Sequence, residues 1–125
     1  MSEKVFLFDT ILRDGEQGEN VNFSLADKIA IAKKLDEFGV DYIEGGWPGS
    51  NPKAVDFFRQ MQSVKLSHAK LCAFGSTRHS KNSAEDDTNL RALIEAKTPA
   101  VSIFGKSWDL HAIEALKVSL EENLQ

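Results

Sequence analysis

Short apolar runs alternate along the chain with longer segments in which apolar residues recur every three or four positions. Val5 to Phe8 is a β-prone apolar run, and Ser24 then opens a stretch in which Leu25, Ile29, Ala32, Leu35 and Phe38 fall at helical spacing. Asp27, three residues after Ser24, makes a capping arrangement, and Gly39 stands where such a helix should stop. The next run, "VDYIEGG", is short, holds β-branched and aromatic residues, and meets the breakers Gly45, Gly46 and Pro48, so it reads as a second strand. A helix from about Pro52 places Ala54, Phe57, Phe58 and Met61 on its buried side.

The same unit recurs twice more. "AKLCAFG" predicts a strand ending at Gly75, and "AEDDTNLRALIEAK" predicts a helix with acidic residues in its first turn, where the macrodipole favours them. "PAVSIFG" predicts the fourth strand and "SWDLHAIEALKVSLEENL" the fourth helix. Four βα units imply an α/β fold with a parallel sheet and right-handed crossovers, its strands mostly apolar because both faces are covered.

Two architectures accommodate the repeat, an open doubly wound sheet and part of a (β/α)₈ TIM barrel. The first would call for a glycine-rich phosphate turn after strand one. The turn present, "DTILRDGEQ", lacks that spacing and carries acids that would repel phosphate, which favours the barrel. A whole barrel takes roughly 250 residues, so residues 1–125 form one partial domain, the N-terminal half. The last helix runs to Gln125 without a stop signal, so the pattern predicts a barrel truncated at its C-terminus.

Charge and composition narrow the function. A net charge of −4 with interspersed signs leaves no basic stripe for nucleic acid and no polybasic segment for an anionic membrane. No apolar stretch is long enough to span a bilayer and the N-terminus lacks signal-peptide features, which together predict a cytoplasmic protein. Cys72 is the single cysteine and reads as a buried thiol.

In a parallel α/β fold, functional groups gather at the carboxyl ends of the strands. That face receives Asp9, Arg13, Asp14, Glu16 and Gln17 after strand one and Glu44 in strand two. Ser76, Thr77, Arg78 and His79 follow strand three, and Lys106, Ser107 and Trp108 follow strand four. His68 and Lys70 precede strand three and belong to the opposite rim.

Arg13 beside Asp14 has the clearest chemistry. A planar guanidinium grips a carboxylate or oxyanion bidentately, and a neighbouring carboxylate can hold a hard divalent cation, a combination suited to a 2-oxo acid. Spacing alone equally allows the two to pair with other loop charges. Glu44 lies inside an apolar strand, so it should meet a cation or carry a proton there. An outward Glu44 covered by helix ends is the alternative. Lys106, Arg78 and His79 read as solvated loop residues or as contacts for an anionic ligand, and His111 as a helix-face residue. Trp47 and Trp108 read as packing residues at strand ends, with stacking on a ligand the bolder assignment.

The segments "DTILRDGEQGE", "GVDYIEGGWPGSNPK", "AFGSTR" and "IFGKSWDLH" together resemble the citramalate synthases, within the larger family of 2-isopropylmalate and homocitrate synthases and related metal-dependent lyases. The resemblance extends over essentially the whole chain. Ile11 departs from it, standing where the family usually has Thr.

The resemblance implies an acyltransferase on a TIM barrel that joins acetyl-CoA to pyruvate in a Claisen-type condensation, within isoleucine biosynthesis, in a homodimeric parent. It implies that Asp14 is the metal-ligand carboxylate and that Arg13 polarises the keto oxygen and neutralises the alkoxide. By the same resemblance Gln17 helps order the site and Glu44 lines it, while Asp9, Arg78 and Lys106 lie on the same face. The cofactor implied is a divalent metal ion, Mg²⁺ or Mn²⁺, with Zn²⁺ open once histidines join. The family completes that site with a His-x-His pair, whereas the histidines here stand at 68, 79 and 111, so the 125-residue chain alone is expected to be inactive. A related synthase or lyase acting on another 2-oxo acid, and a non-catalytic half-barrel that binds a partner, stay open as alternatives.

Overall fold

The computed structural model describes residues 3–125. Helix α1, Leu25–Phe38, begins where a reciprocal capping box forms: the Ser24 hydroxyl accepts from the Asp27 amide at 3.1 Å, and the Asp27 carboxylate accepts from the Ser24 amide at 2.8 Å. It ends at Gly39, whose φ of 91° lies in the left-handed region where a Cβ is disfavoured. Helix α2, Pro52–Met61, starts on the Asn51 side chain with Pro52 in its first turn, and buries Ala54, Phe57, Phe58 and Met61 as the periodicity predicts. Helix α3, Thr88–Glu95, begins later than expected. Asp87 is its N-cap, accepting from the Asn89 and Leu90 amides, so the acids of residues 85–87 precede the first turn rather than occupy it.

Strands β1 (Phe8–Asp9), β2 (Tyr42–Gly46), β3 (Lys70–Ser76) and β4 (Ala100–Phe104) form one parallel sheet in the order β1-β2-β3-β4. Each new strand joins the same edge, so the order never reverses as a doubly wound sheet requires. The result is an arc of barrel wall. Ile43, Leu71 and Ala73 pack with Phe57, Phe58 and Leu93 in the core, and Gly45 lets β2 lie against α2, because a Cβ there would meet Phe57 at 2.5 Å.

Two expectations are corrected. The first strand is not Val5 to Phe8 but the pair Phe8–Asp9, preceded by Leu7, whose carbonyl accepts from the Asp41 and Tyr42 amides. Val5, Phe6, Leu7 and Phe8 are exposed at this edge. The fourth helix is not continuous: a π-helical segment, His111–Leu116, ends at Lys117 with φ 56°, and a four-residue helix α4, Leu120–Asn123, restarts on Ser119. The Ser119 hydroxyl accepts from the Glu122 amide, a second N-cap inside the segment expected to be one helix. Val101 and Ile103 of β4 stay exposed. Phe38, the last of the regularly spaced apolar residues of α1, is 82% exposed, and the buried positions of that helix are Lys28, Ala32 and Asp36.

Candidate functional site

The turn after β1 places the first group. Asp9 accepts from the Ile11 amide at 3.0 Å, and the amides of Arg13, Asp14 and Gly15 converge on the Thr10 carbonyl at 3.1, 2.7 and 3.2 Å. A tight turn results, continued by a 3-10 turn over Gly15–Gln17. Leu12 is fully buried and anchors it, so the neighbouring Arg13 projects across the sheet.

Glu44 is where the charge inside β2 meets its partners. One carboxylate oxygen accepts from Arg13 Nε at 2.5 Å and the other from the Ser102 hydroxyl of β4 at 2.6 Å. The side chain is nearly inaccessible, so this pairing offsets a desolvation cost that an isolated carboxylate could not bear. The Arg13 guanidinium also lies over the Phe74 ring at 4.1 Å, a cation–π contact from β3. Trp47 packs edge-on against Phe74 and donates its indole N–H to Asn89 at 2.6 Å; Asn89 in turn donates to the Ser76 carbonyl.

Arg13 thus uses Nε internally and keeps its two terminal nitrogens without hydrogen-bond partners among the described residues, Nη1 lying 3.5 Å from the Asp14 carboxylate. Such an edge fits a carboxylate or a carbonyl oxygen that becomes negative. Asp14 is 62% exposed. It can contribute one hard oxygen ligand to a divalent cation. Both Glu44 oxygens are engaged and Asp9 serves the turn, and among the described residues no group of three or more His, Cys, Asp or Glu could hold a metal. Among the described residues, Asp14 is thus the one carboxylate of this cluster left open to a cation, and they do not complete a metal site by themselves.

Arg13, Asp14 and Glu44 are brought together; the other candidates stand apart. Gln17 is exposed on its 3-10 turn. Arg78 directs its guanidinium to the carbonyls of His79, Ser80 and Asn82 and to Glu122 at 2.8 Å, organising its own loop. Lys106 sits 4.9 Å over the Phe104 ring, and its carbonyl accepts from Asn123. His79 and His111 meet Lys81 and Trp108 respectively, and His68 pairs with Asp41 at the opposite rim. Cys72 is a buried thiol, its pKa raised by that burial.

Three residues escaped the sequence reading. Ser102 was visible as a hydroxyl in an apolar strand, whereas Phe74 carried no signal beyond its strand. Lys28, a residue type that usually stays on a helix surface, is only 2% exposed. It donates to the Leu12 carbonyl at 2.8 Å and to Glu16 at 2.9 Å. Glu16 also accepts from Lys53 at 2.7 Å; burial pushes its pKa up, but the bonds from Lys53 and Lys28 outweigh that and hold it below the ordinary value.

A parallel βα arc with an arginine–carboxylate pair at the carboxyl ends of its strands is the construction of a barrel-type α/β domain whose βα loops build a site. The chain belongs to the HMGL-like family, whose model matches residues 4–125. It is 57% identical over 99% of its length to an (R)-citramalate synthase of Aquifex aeolicus and 58% identical over 97% to one of Geobacter sulfurreducens. A 2-isopropylmalate synthase of Streptococcus gallolyticus is 37% identical over 97% of the chain. These matches cover 24%, 23% and 22% of the respective relatives, so the chain spans about a quarter of their length. The structure superposes on a hydroxymethylglutaryl-CoA lyase from Pseudomonas aeruginosa with a TM-score of 0.68 at 22% identity, covering 97% of this chain and 39% of that one, a likeness of fold.

Proposed function

We propose that the chain forms the Arg13 side of the active site of an (R)-citramalate synthase, which condenses acetyl-CoA and pyruvate with water to give citramalate and CoA. The observation that carries this reading is the fixed Arg13, held by Glu44 and Phe74 with its terminal nitrogens open beside Asp14. The identities of 57% and 58% to citramalate synthases, against 37% to a 2-isopropylmalate synthase, favour pyruvate over a larger 2-oxo acid.

The reaction removes a proton from the acetyl methyl of the thioester, and the enolate attacks the ketone carbon of pyruvate, whose oxygen becomes an alkoxide. Water then hydrolyses the thioester and releases CoA. The Arg13 fork orients the 2-oxo acid and stabilises the alkoxide, and Glu44 with Ser102 keeps that fork aimed, so little reorganisation accompanies the charge shift. A divalent cation with Asp14 as one ligand supplies Lewis-acid polarisation when bound. The other ligands, the base and the CoA contacts belong to the rest of a barrel in this reading, which sets the reaction in a cytoplasmic homodimer of isoleucine biosynthesis.

The test is thiol release by the full-length gene product from acetyl-CoA with pyruvate, 2-oxoisovalerate or 2-oxoglutarate as acceptor. Pyruvate should give the highest kcat/KM, and the 125-residue chain alone should release no CoA. Preference for another acceptor, or release by the isolated chain, overturns the reading.

A further inference from the structure

Lys28 is a buried cation that the proposed chemistry does not use. It occupies the first turn of α1, where the helix macrodipole disfavours a positive charge, and burial adds a desolvation cost. Helix formation therefore gives no reason for it. Its ammonium is instead surrounded by groups of the β1–α1 turn and the neighbouring unit: the Leu12 carbonyl, the Glu16 carboxylate, and the Phe57 ring at 5.2 Å.

The Leu12 carbonyl belongs to the planar peptide that joins Leu12 to Arg13. A charge-assisted hydrogen bond to that oxygen fixes the peptide plane, and with it the direction in which Arg13 leaves the backbone. The second bond, to Glu16, holds the turn three residues further on, and Lys53 of α2 grips the same carboxylate from the other side. The turn is thus clamped on both flanks of Arg13 by cations from two helices, while the arginine side chain itself reaches Glu44.

We infer that Lys28 is a positioning residue, which sets the site through the Leu12–Arg13 peptide and touches no substrate. This rests on the assignment of Arg13 to the 2-oxo acid. In the full-length gene product, Lys28→Met keeps the side-chain length and removes the ammonium. Exchange of the Arg13, Asp14 and Gly15 amides should quicken, while the Ser67, His68 and Ala69 amides held by Asp36 should not change. KM for pyruvate should rise about tenfold with KM for acetyl-CoA unchanged, the equivalent of ~1.4 kcal/mol of lost ligand orientation. A smaller active fraction would lower kcat and leave both KM values in place, so the pyruvate KM separates positioning from simple destabilisation.

Glu16→Gln, at a partly exposed position, decides the matter if Lys28→Met does not fold: it weakens the Lys28 anchor and should quicken the same three amides. Lys53→Met leaves both Lys28 bonds in place and should quicken these amides and raise the pyruvate KM less than Lys28→Met does; an equal or larger effect would move the positioning role to Lys53. Unchanged exchange at residues 13–15, or acceleration spread evenly over the chain in both Lys28→Met and Glu16→Gln, overturns the inference. If the wild-type protein releases no CoA with any acceptor, the proposed reaction falls, and exchange at residues 13–15 still decides whether Lys28 holds the turn.

Discussion

Lys28 and Asp36 stand eight residues apart on one buried stripe of α1, about two helical turns, and each binds a loop at a different rim of the sheet. Asp36 serves the rim where strands begin. Its carboxylate accepts from the Ser67, His68 and Ala69 amides and from the Ser67 hydroxyl, all between 2.6 and 2.8 Å. Asp41 does the same for the start of β1, accepting from the Leu7 amide at 2.9 Å. Lys28 serves the rim where strands end, and there the fixed turn still presents open groups: the terminal nitrogens of Arg13 and the exposed Asp14. Both charges run against the helix macrodipole, so in each case the tertiary partner supplies the stabilisation. At one rim the carboxylates of Asp36 and Asp41 are taken up by backbone amides; at the other the terminal nitrogens of Arg13 and the Asp14 carboxylate stay open.

The largest effect expected from this division is in Arg13→Lys. A point charge cannot keep both the Glu44 bond and a two-nitrogen edge, so in the full-length gene product CoA release should fall about 10²- to 10³-fold, the size of losing a donor to a developing oxyanion. Thermal unfolding should shift little, because the lysine ammonium can still pair with the buried Glu44 and only the outward edge is lost. Steady-state kinetics beside a melting curve checks both halves.

Asp36→Asn should show the reverse. An amide offers one acceptor oxygen where a carboxylate offers two, so amides at the start of β3 lose their partner and stability should fall by about 2–4 kcal/mol. CoA release per folded molecule should hold. Equal catalytic losses in Arg13→Lys and Asp36→Asn would erase the distinction between the rims.

Acid titration sharpens the same contrast. Burial pushes the Asp36 pKa up, but the bonds from Ala69, Ser67 and His68 outweigh it and hold it well below the ordinary value of 3.8. The unfolded chain therefore takes up that proton first as pH falls. The contribution of Asp36 to stability is complete above about pH 5 and is lost progressively below pH 4, toward the depressed native value. Denaturant midpoints measured from about pH 5 down to pH 3 should fall less steeply in Asp36→Asn than in wild type.

The smallest effect belongs to Ser102→Ala. It removes one of two bonds to the buried Glu44 and leaves the Arg13 pair, so a loss of about 1.5 kcal/mol is expected, with kcat reduced less than tenfold. A loss as large as that of Arg13→Lys would move the centre of the site from the turn to β4.

The elements legible in the chain are those whose signals are local. The Ser24–Asp27 box and Gly39 delimit α1, Asn51 and Pro52 open α2, and the apolar runs mark β2, β3 and β4, because each signal needs only residues a few positions apart. The crowding of charge after β1 pointed to Arg13 and Asp14, and a carboxylate in an apolar strand pointed to Glu44. The fourth helix misled because its apolar spacing continues through Lys117, while the Ser119 cap that divides it is as local a signal as that of Ser24.

What the sequence by itself determined is the order of strands and helices and the rim on which the charge collects, since strand polarity in a βα chain dictates where each loop emerges. Only the tertiary structure decided which charges are bound and which are open. Glu44 and Ser102 lie 58 residues apart in the chain, Glu16 and Lys53 37 apart, and Asp36 and Ala69 33 apart. No periodicity encodes such pairs. Lys28 has the pattern of a surface lysine, and packing of α1 against β2 and α2 turns it inward onto the Leu12 carbonyl.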